Sequence, residues 1–196
     1  KMRTEILTID KGQCLTDVLP AIPANTIFDK TITGCGATHS EIVNAARHSI
    51  IIEPNIPVIL GKKAEHPFLF AVYEGITKED VKAYLAGEHD GYRKIITTPE
   101  GFDKKVLPAM HELEIPVYKD YFLLFDECEK AIQDVGYRGD IYLPVEDFFK
   151  FENKAMVSAT PIVPSDPRFE ENGFKILKLV PTYDSRIELT LCTTNN

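Results

Sequence analysis

Residues 121–125 read Tyr-Phe-Leu-Leu-Phe, with no charged side chain on either face, and Asp126 and Glu127 follow at once. Side chains of a strand alternate between two faces, so a run that is apolar at every position must be covered on both. That condition is met in the middle of a parallel sheet layered with helices, and a half-solvated antiparallel sheet does not meet it. The chain repeats the theme in weaker form. Strands are expected at Thr26 to Ile32, His48 to Glu53, Phe68 to Tyr73 and Arg93 to Thr97, with helix-compatible sequence between them. One helix is expected from about Thr38 to Ala46. Another is capped by Thr77, with Asp80 three residues on, and reaches about Ala86. Pro99 suits the first turn of a helix. Ala155 to Val157 begins a further strand, Pro164 to Pro167 reads as a turn or linker, and Lys175 to Val180 and Ile187 to Cys192 read as two final strands. The expected fold class is α/β: a mostly parallel sheet with helices on both faces.

Composition narrows the setting. With 196 residues, 44% hydrophobic and 27% charged, the chain is long enough to bury a full core. Its apolar runs are strand-sized, short of the ~20 residues of a membrane span, so no membrane partner is expected. Lys1-Met2-Arg3 lacks the apolar core of a secretory signal. Cys14, Cys35, Cys128 and Cys192 are widely spaced with no CxxC pair, which fits a reducing cytoplasm better than a zinc site or a disulfide scaffold. The net charge of −8 works against a large basic surface, although Lys62-Lys63, Arg93-Lys94 and Lys104-Lys105 form local basic pairs.

Three short segments carry chemistry, each just after an expected strand, where open α/β sheets place their ligand sites. Thr33-Gly34-Cys35-Gly36-Ala37-Thr38 is a glycine-bearing turn before a helix, able to aim backbone N–H groups at a phosphate. A phosphate loop adds a lysine and a magnesium-binding Ser/Thr. Here Thr38 fits the magnesium position and Ala37 stands where the lysine would be. Taken alone the motif is weak, and a plain glycine turn is the better explanation of it. Asp126-Glu127-Cys128-Glu129 supplies a carboxylate for Mg²⁺ (Asp126) and a second to orient or deprotonate water (Glu127), or else an acidic helix start. Ser158-Ala159-Thr160 is a cluster of small residues at a strand end, common in any protein.

Order and spacing add what no single segment carries. Glycine turn, Asp-Glu after a strand, then Ser-Ala-Thr after a strand resembles motifs I, II and III of superfamily 2 helicases. Asp126-Glu127-Cys128-Glu129 resembles the DEAD/DECH box, and Ser158-Ala159-Thr160-Pro161 is similar to the SAT motif. Ile52-Glu53-Pro54-Asn55 falls where motif Ia lies, and Thr97-Thr98-Pro99-Glu100-Gly101 resembles motif Ib. The resemblance covers roughly residues 20 to 165. It implies the first RecA-like motor domain of such a helicase over residues 1–165, with 166–196 leading toward a second, absent RecA-like domain. It further implies ATP and Mg²⁺ as cofactors, held by Thr33, Gly34, Cys35, Gly36, Ala37 and Thr38, with Thr38 and Asp126 on the metal. Asp126 and Glu127 would be catalytic, and Ser158, Ala159 and Thr160 would couple nucleotide state to movement of the second lobe. Pro54, Asn55, Thr98 and Gly101 would lie on a DNA or RNA backbone.

Two departures bear on activity. Ala37 removes a charge that the family uses on phosphate, worth ~1.5–3 kcal/mol of binding and on the order of 10²–10³ in rate. Lys30, on the incoming strand, is another source of charge, although it is remote from Ala37 along the chain; His39 beside Thr38 reads as a helix-surface residue, and Gln13 as a loop glutamine. The segment after Pro161 is too short for a second motor domain with its arginine fingers. The resemblance therefore leaves two readings: an ATP-dependent helicase-like lobe, or a catalytically inactive relative serving as a nucleic-acid or protein scaffold. A P-loop kinase fits less well, because Arg47, Arg93, Arg138 and Arg168 are scattered.

Overall fold

The computed structural model of the protein describes residues 1–32, 34–128, 145–160 and 163–184. Its strands are β1 (Thr4–Ile9), β2 (Thr26–Asp29), β3 (His48–Ile52), β4 (Phe70–Val72), β5 (Lys94–Thr97), β6 (Tyr121–Phe125), β7 (Asn153–Ser158) and β8 (Lys175–Pro181). They form one sheet in the order β1-β8-β2-β7-β6-β3-β5-β4, and each neighbouring pair is parallel. Among the described residues the helices are α1 (Leu15–Val18), α2 (Ala37–Val43), α3 (Ile56–Glu65), α4 (Lys78–Ala86), α5 (Pro99–Gly101), α6 (Leu107–Glu112), α7 (Val117–Asp120), α8 (Val145–Lys150) and α9 (Pro167–Glu171). A π-helical turn (Phe102–Val106) joins α5 to α6.

The apolar run Tyr121–Phe125 takes the centre of this sheet. Tyr121, Leu123 and Phe125 pack with Ile50 and Ile52 on one face, under helical side chains such as Val81, Phe102, Met110 and Phe148. Phe122 and Leu124 pack with Ile51 and Phe28 on the other, under Leu15, Ile42 and Ile59. The helices thus cover both faces, as a strand with no polar side requires. Each large side chain buried this fully contributes roughly 1.5–3 kcal/mol, so β6 alone anchors both layers. At the opposite end of the sheet from the strand C-termini, the buried Lys154 ammonium donates to the Phe151 carbonyl (3.0 Å) and to the side chains of Asn25 (3.2 Å) and Asn172 (3.1 Å).

Several expectations need adjustment. The strand expected to run to Ile32 stops at Asp29, because the Asp29 carboxylate accepts the Thr31 N–H (3.2 Å) and Thr31 turns to φ +38°. The helix expected to reach Ala46 ends at Val43. β1 was not anticipated; it pairs with β8 over six residues. Its residues Thr-Glu-Ile-Leu-Thr-Ile alternate only weakly, and Ile6 is exposed, as an edge strand permits. The segment Lys175–Pro181, expected to lead toward another domain, lies inside this sheet between β1 and β2. α9 follows the proline-flanked turn, with Asp166 as its N-cap and Pro167 in its first turn. The strand expected at Ile187 to Cys192 lies outside the described residues.

Candidate functional site

In an all-parallel sheet the C-terminal ends of the strands share one edge. Register fixes who stands beside whom: Asp29 is opposite Ser158, Phe125 opposite Met156, Ile52 opposite both Phe125 and Thr97, and Val72 opposite Thr97. The residues that follow β2, β7, β6, β3 and β5 therefore line up along that edge: Lys30, Ala159, Asp126, Glu53 and Thr98.

The glycine turn stands over this edge. Gly34 (φ +73°) and Gly36 (φ +89°) both lie in the left-handed region, which glycine enters without the Cβ penalty other residues meet. Gly36 is the N-cap of α2, so Ala37 is its first residue and packs into the apolar layer. Cys35 is half-buried, and that burial pushes its thiol above the ordinary range. Thr38 is buried, and its hydroxyl donates to Asp126 Oδ2. The other Asp126 oxygen accepts the Glu127 N–H (2.9 Å), while the Asp126 N–H donates to the Ile52 carbonyl (2.9 Å). Asp126 is only 3% exposed, and its carboxylate is held from two sides. Glu127 adopts φ +53°, a backbone conformation uncommon for a residue with a Cβ, directly at the end of the most buried strand. Thr33 and Glu129 lie outside the described residues.

Two further groups complete the cluster. Lys30 Nζ stands 3.2 Å from Glu127 Oε1 and 3.5 Å from Asp126 Oδ1. Burial acts to lower its pKa, but the charges of Asp126 and Glu127 outweigh it and hold the ammonium above its usual value. Glu53, 1% exposed, accepts both the backbone N–H and the side-chain amide of Asn55 at 2.9 Å. Its carboxyl is pushed up to about 7, first by burial and then by the neighbouring charge of Asp126. Sequence reasoning passed over Glu53 as part of a longer stretch. The available signal was the one used for Asp126, a carboxylate directly after an apolar β-branched strand.

The remaining residues fall in distinct places. Ser158 is fully buried; its hydroxyl donates to the Thr160 carbonyl (2.6 Å) and accepts the Thr160 N–H (3.1 Å), while its own carbonyl accepts the Lys30 N–H (2.9 Å). Ala159 is half-buried and Thr160 exposed; Pro161 lies outside the described residues. Pro54, Asn55 and Thr98 are half-buried on the adjoining stretch of the edge. Gly101 is buried, and its N–H donates to the Thr98 hydroxyl (3.0 Å). A Cβ there would come within 2.6 Å of Thr97 Oγ1, so the glycine has a packing reason of its own. His39 is exposed and paired with His66 (3.2 Å), and the Gln13 side chain accepts the Asp10 N–H (2.7 Å).

Chemically, the edge brings the Thr38 hydroxyl, the carboxyl groups of Asp126, Glu127 and Glu53 and the Lys30 ammonium to a single place. No group of three or more His, Cys, Asp or Glu residues is arranged to enclose a metal among the described residues. Magnesium does not need one: it commonly takes one or two protein oxygens and completes its shell with water and phosphate. Thr38 and Asp126 are such a pair. No helix among the described residues is long and apolar enough to cross a membrane.

No protein-family model matches the chain. No curated protein matches it. Among solved structures, it is similar to the helicase domain of Hef from Pyrococcus furiosus, with a TM-score of 0.51 at 13% identity. The likeness covers 83% of this chain and 36% of that one, so the chain spans about a third of the length of the structure it matches. At that identity the likeness speaks for fold. The chain has a helicase-like, RecA-type α/β fold.

Proposed function

We propose that the chain is the nucleotide-binding lobe of a helicase-like protein, which binds ATP with Mg²⁺ at the C-terminal edge of the sheet and meets DNA or RNA beside it. The observation that carries this reading is the hydrogen bond from the Thr38 hydroxyl to the Asp126 carboxylate, which joins two segments 88 residues apart. A hydroxyl and a carboxylate in contact, at the mouth of a glycine turn, are the two protein oxygens that a phosphate-bound magnesium uses. When bound, ATP and its magnesium supply the transferable phosphoryl group and the Lewis acid. The chain's own residues bind and orient. Gly34 and Gly36 shape the turn, Thr38 and Asp126 hold the metal, and Glu127 positions and deprotonates water. Ser158, through its carbonyl on Lys30, ties the Ser-Ala-Thr turn to the same place, a route by which occupancy is relayed toward a second lobe. Pro54, Asn55 and Thr98, two strands along the edge, would face the nucleic-acid backbone.

The experiment is calorimetric titration with ATP and Mg²⁺, with Asp126→Ala as the control. Binding that the substitution weakens supports the reading; no binding at millimolar ATP overturns it. One observation favours a second reading. Ala37, where the family has its lysine, packs into the apolar layer, as in a fold kept for interaction after its chemistry was lost. On that reading the chain is an inactive scaffold for nucleic acid or protein, and ATP binding is absent while nucleic-acid binding persists.

A further inference from the structure

We propose that Lys30, delivered from the turn after β2, is the phosphate-neutralising cation of this site, in place of the lysine that position 37 lacks. The proposal rests on the nucleotide-binding reading above and deepens it. Three observations carry it. First, the ammonium is already inside the cluster, within 3.2 Å of Glu127 and 3.5 Å of Asp126, and its side chain is 12% exposed. Second, its backbone is fixed. The Lys30 N–H donates to the Ser158 carbonyl (2.9 Å), the Lys30 carbonyl accepts the Ile32 N–H, and the next residue is anchored by the Thr31 hydroxyl on the Leu179 carbonyl. A flexible stem thus starts from a rigid point. Third, the early end of β2 at Asp29 is what turns Lys30 out of the sheet and over its edge. A strand continuing to Ile32 would leave residue 30 within the sheet.

The charges explain why an ammonium here serves phosphate and not merely structure. Glu53, Asp126 and Glu127 converge at this edge, and among the described residues Lys30 is the cation that pairs with Asp126 and Glu127, so carboxylates outnumber ammonium in the described part of the cluster. Asp126 and Thr38 would hold the magnesium of a bound metal–phosphate, whose charge would serve Asp126 in place of the ammonium. Lys30 would then donate to a phosphoryl oxygen in place of its 3.5 Å contact to Asp126 and keep the shorter one to Glu127. Lys30 would thereby sense occupancy and report it along its backbone to Ser158. Both ends of the link are in place in the structure.

The test is calorimetry of the 196-residue chain with Mg²⁺ and ATP, and separately with Mg²⁺ and tripolyphosphate, for the unmodified protein, Lys30→Met, Lys30→Arg and Asp126→Ala. Loss of one charged contact to phosphate should weaken both ligands by about 10- to 100-fold in Lys30→Met. Lys30→Arg, which keeps the charge, should restore most of the affinity. Thermal melts establish that each variant is folded, and Lys30→Gln replaces Lys30→Met should the latter not fold. Asp126-dependent ATP binding that Lys30→Met, or Lys30→Gln in its place, leaves unchanged overturns the role of Lys30 and leaves the nucleotide reading standing. Absence of ATP binding in the unmodified protein overturns both.

Discussion

Replacing Arg47 with methionine tests how the junction of α2 and β3 holds the site in place. The Glu41 carboxylate, on the helix that also carries Thr38, is fully buried. Arg47 donates to it twice, from Nη2 to Oε2 at 2.7 Å and from Nε to Oε1 at 3.0 Å. Nη2 also reaches the Ile22 carbonyl (3.1 Å), and the guanidinium lies 3.5 Å over the Phe122 ring. Removing one partner of a buried ion pair costs ~3–5 kcal/mol, because the other charge is left unpaired. Two features place this case at the low end. The Arg47 side chain is 26% exposed, and Lys94 Nζ, 3.9 Å from Glu41, remains to compensate. The Ser49 hydroxyl continues to donate to the carboxylate as well. Arg47→Met should therefore lower stability by ~3 kcal/mol, read as a shift of the urea midpoint at unchanged slope. Adding Glu41→Met should cost much less than the sum of the two single changes, with a coupling on the order of 1–3 kcal/mol. A single change costing under ~1 kcal/mol, or costs that simply add, would refute the reasoning.

The buried Lys94 gives this network a pH signature. Burial lowers its pKa to about 8, with Glu41 acting in the opposite sense. The unfolded chain then binds more protons than the folded one between about 8 and its ordinary value, so stability should rise with pH across that window and the penalty should be fully present below it. Lys94→Met should flatten that rise in urea titrations from neutral to alkaline pH; an undiminished slope would assign it elsewhere. Gly101→Ala should destabilise by ~1–3 kcal/mol despite alanine's better helix propensity, because the new methyl meets Thr97 Oγ1 at 2.6 Å and Val72 Cγ1 at 3.2 Å. A thermal melt unchanged by the substitution would contradict it. Glu53→Gln should raise stability in neutral, magnesium-free buffer by up to ~3 kcal/mol, since it keeps an acceptor for Asn55 without a carboxyl that burial and Asp126 push up to about 7. For such a carboxyl the folded chain binds more protons between its ordinary value and about 7. Its contribution is thus full at acid pH and lost as pH rises through 7, and the gain from glutamine should vanish toward pH 4.

Much of the fold was legible in the one-dimensional pattern, because burial on two faces leaves a mark in every residue of a strand. Tyr121–Phe125 is the clearest case, and the edges of β3, β5 and α4 follow from the same logic with Pro54, Pro99 and Thr77 as punctuation. The identity of Thr38 and Asp126 as candidates was legible too, since glycines before a helix and carboxylates after an apolar strand are local features. β1 was not legible. An edge strand has one neighbour and a solvated side, so its residues are under little constraint, and only pairing with β8 makes it a strand. The place of β8 between β1 and β2 is likewise a property of the sheet, decided by which strand can fill that gap.

What only tertiary structure decided is which distant charges meet. Lys30 precedes Asp126 by 96 residues, and nothing local predicts that a strand ending at Asp29 will carry its ammonium past β7 to β6. Glu53 looks like any strand-terminal glutamate until the sheet order sets it beside Asp126, where burial and like charge act together. Conversely, Gly101 resembles a backbone-binding glycine in sequence, and only packing against Thr97 and Val72 reveals its steric reason. Sequence fixes what each strand end can offer chemically. The order and register of parallel strands decide which of those offers share a site, because they bring ends far apart in the chain within reach of one another.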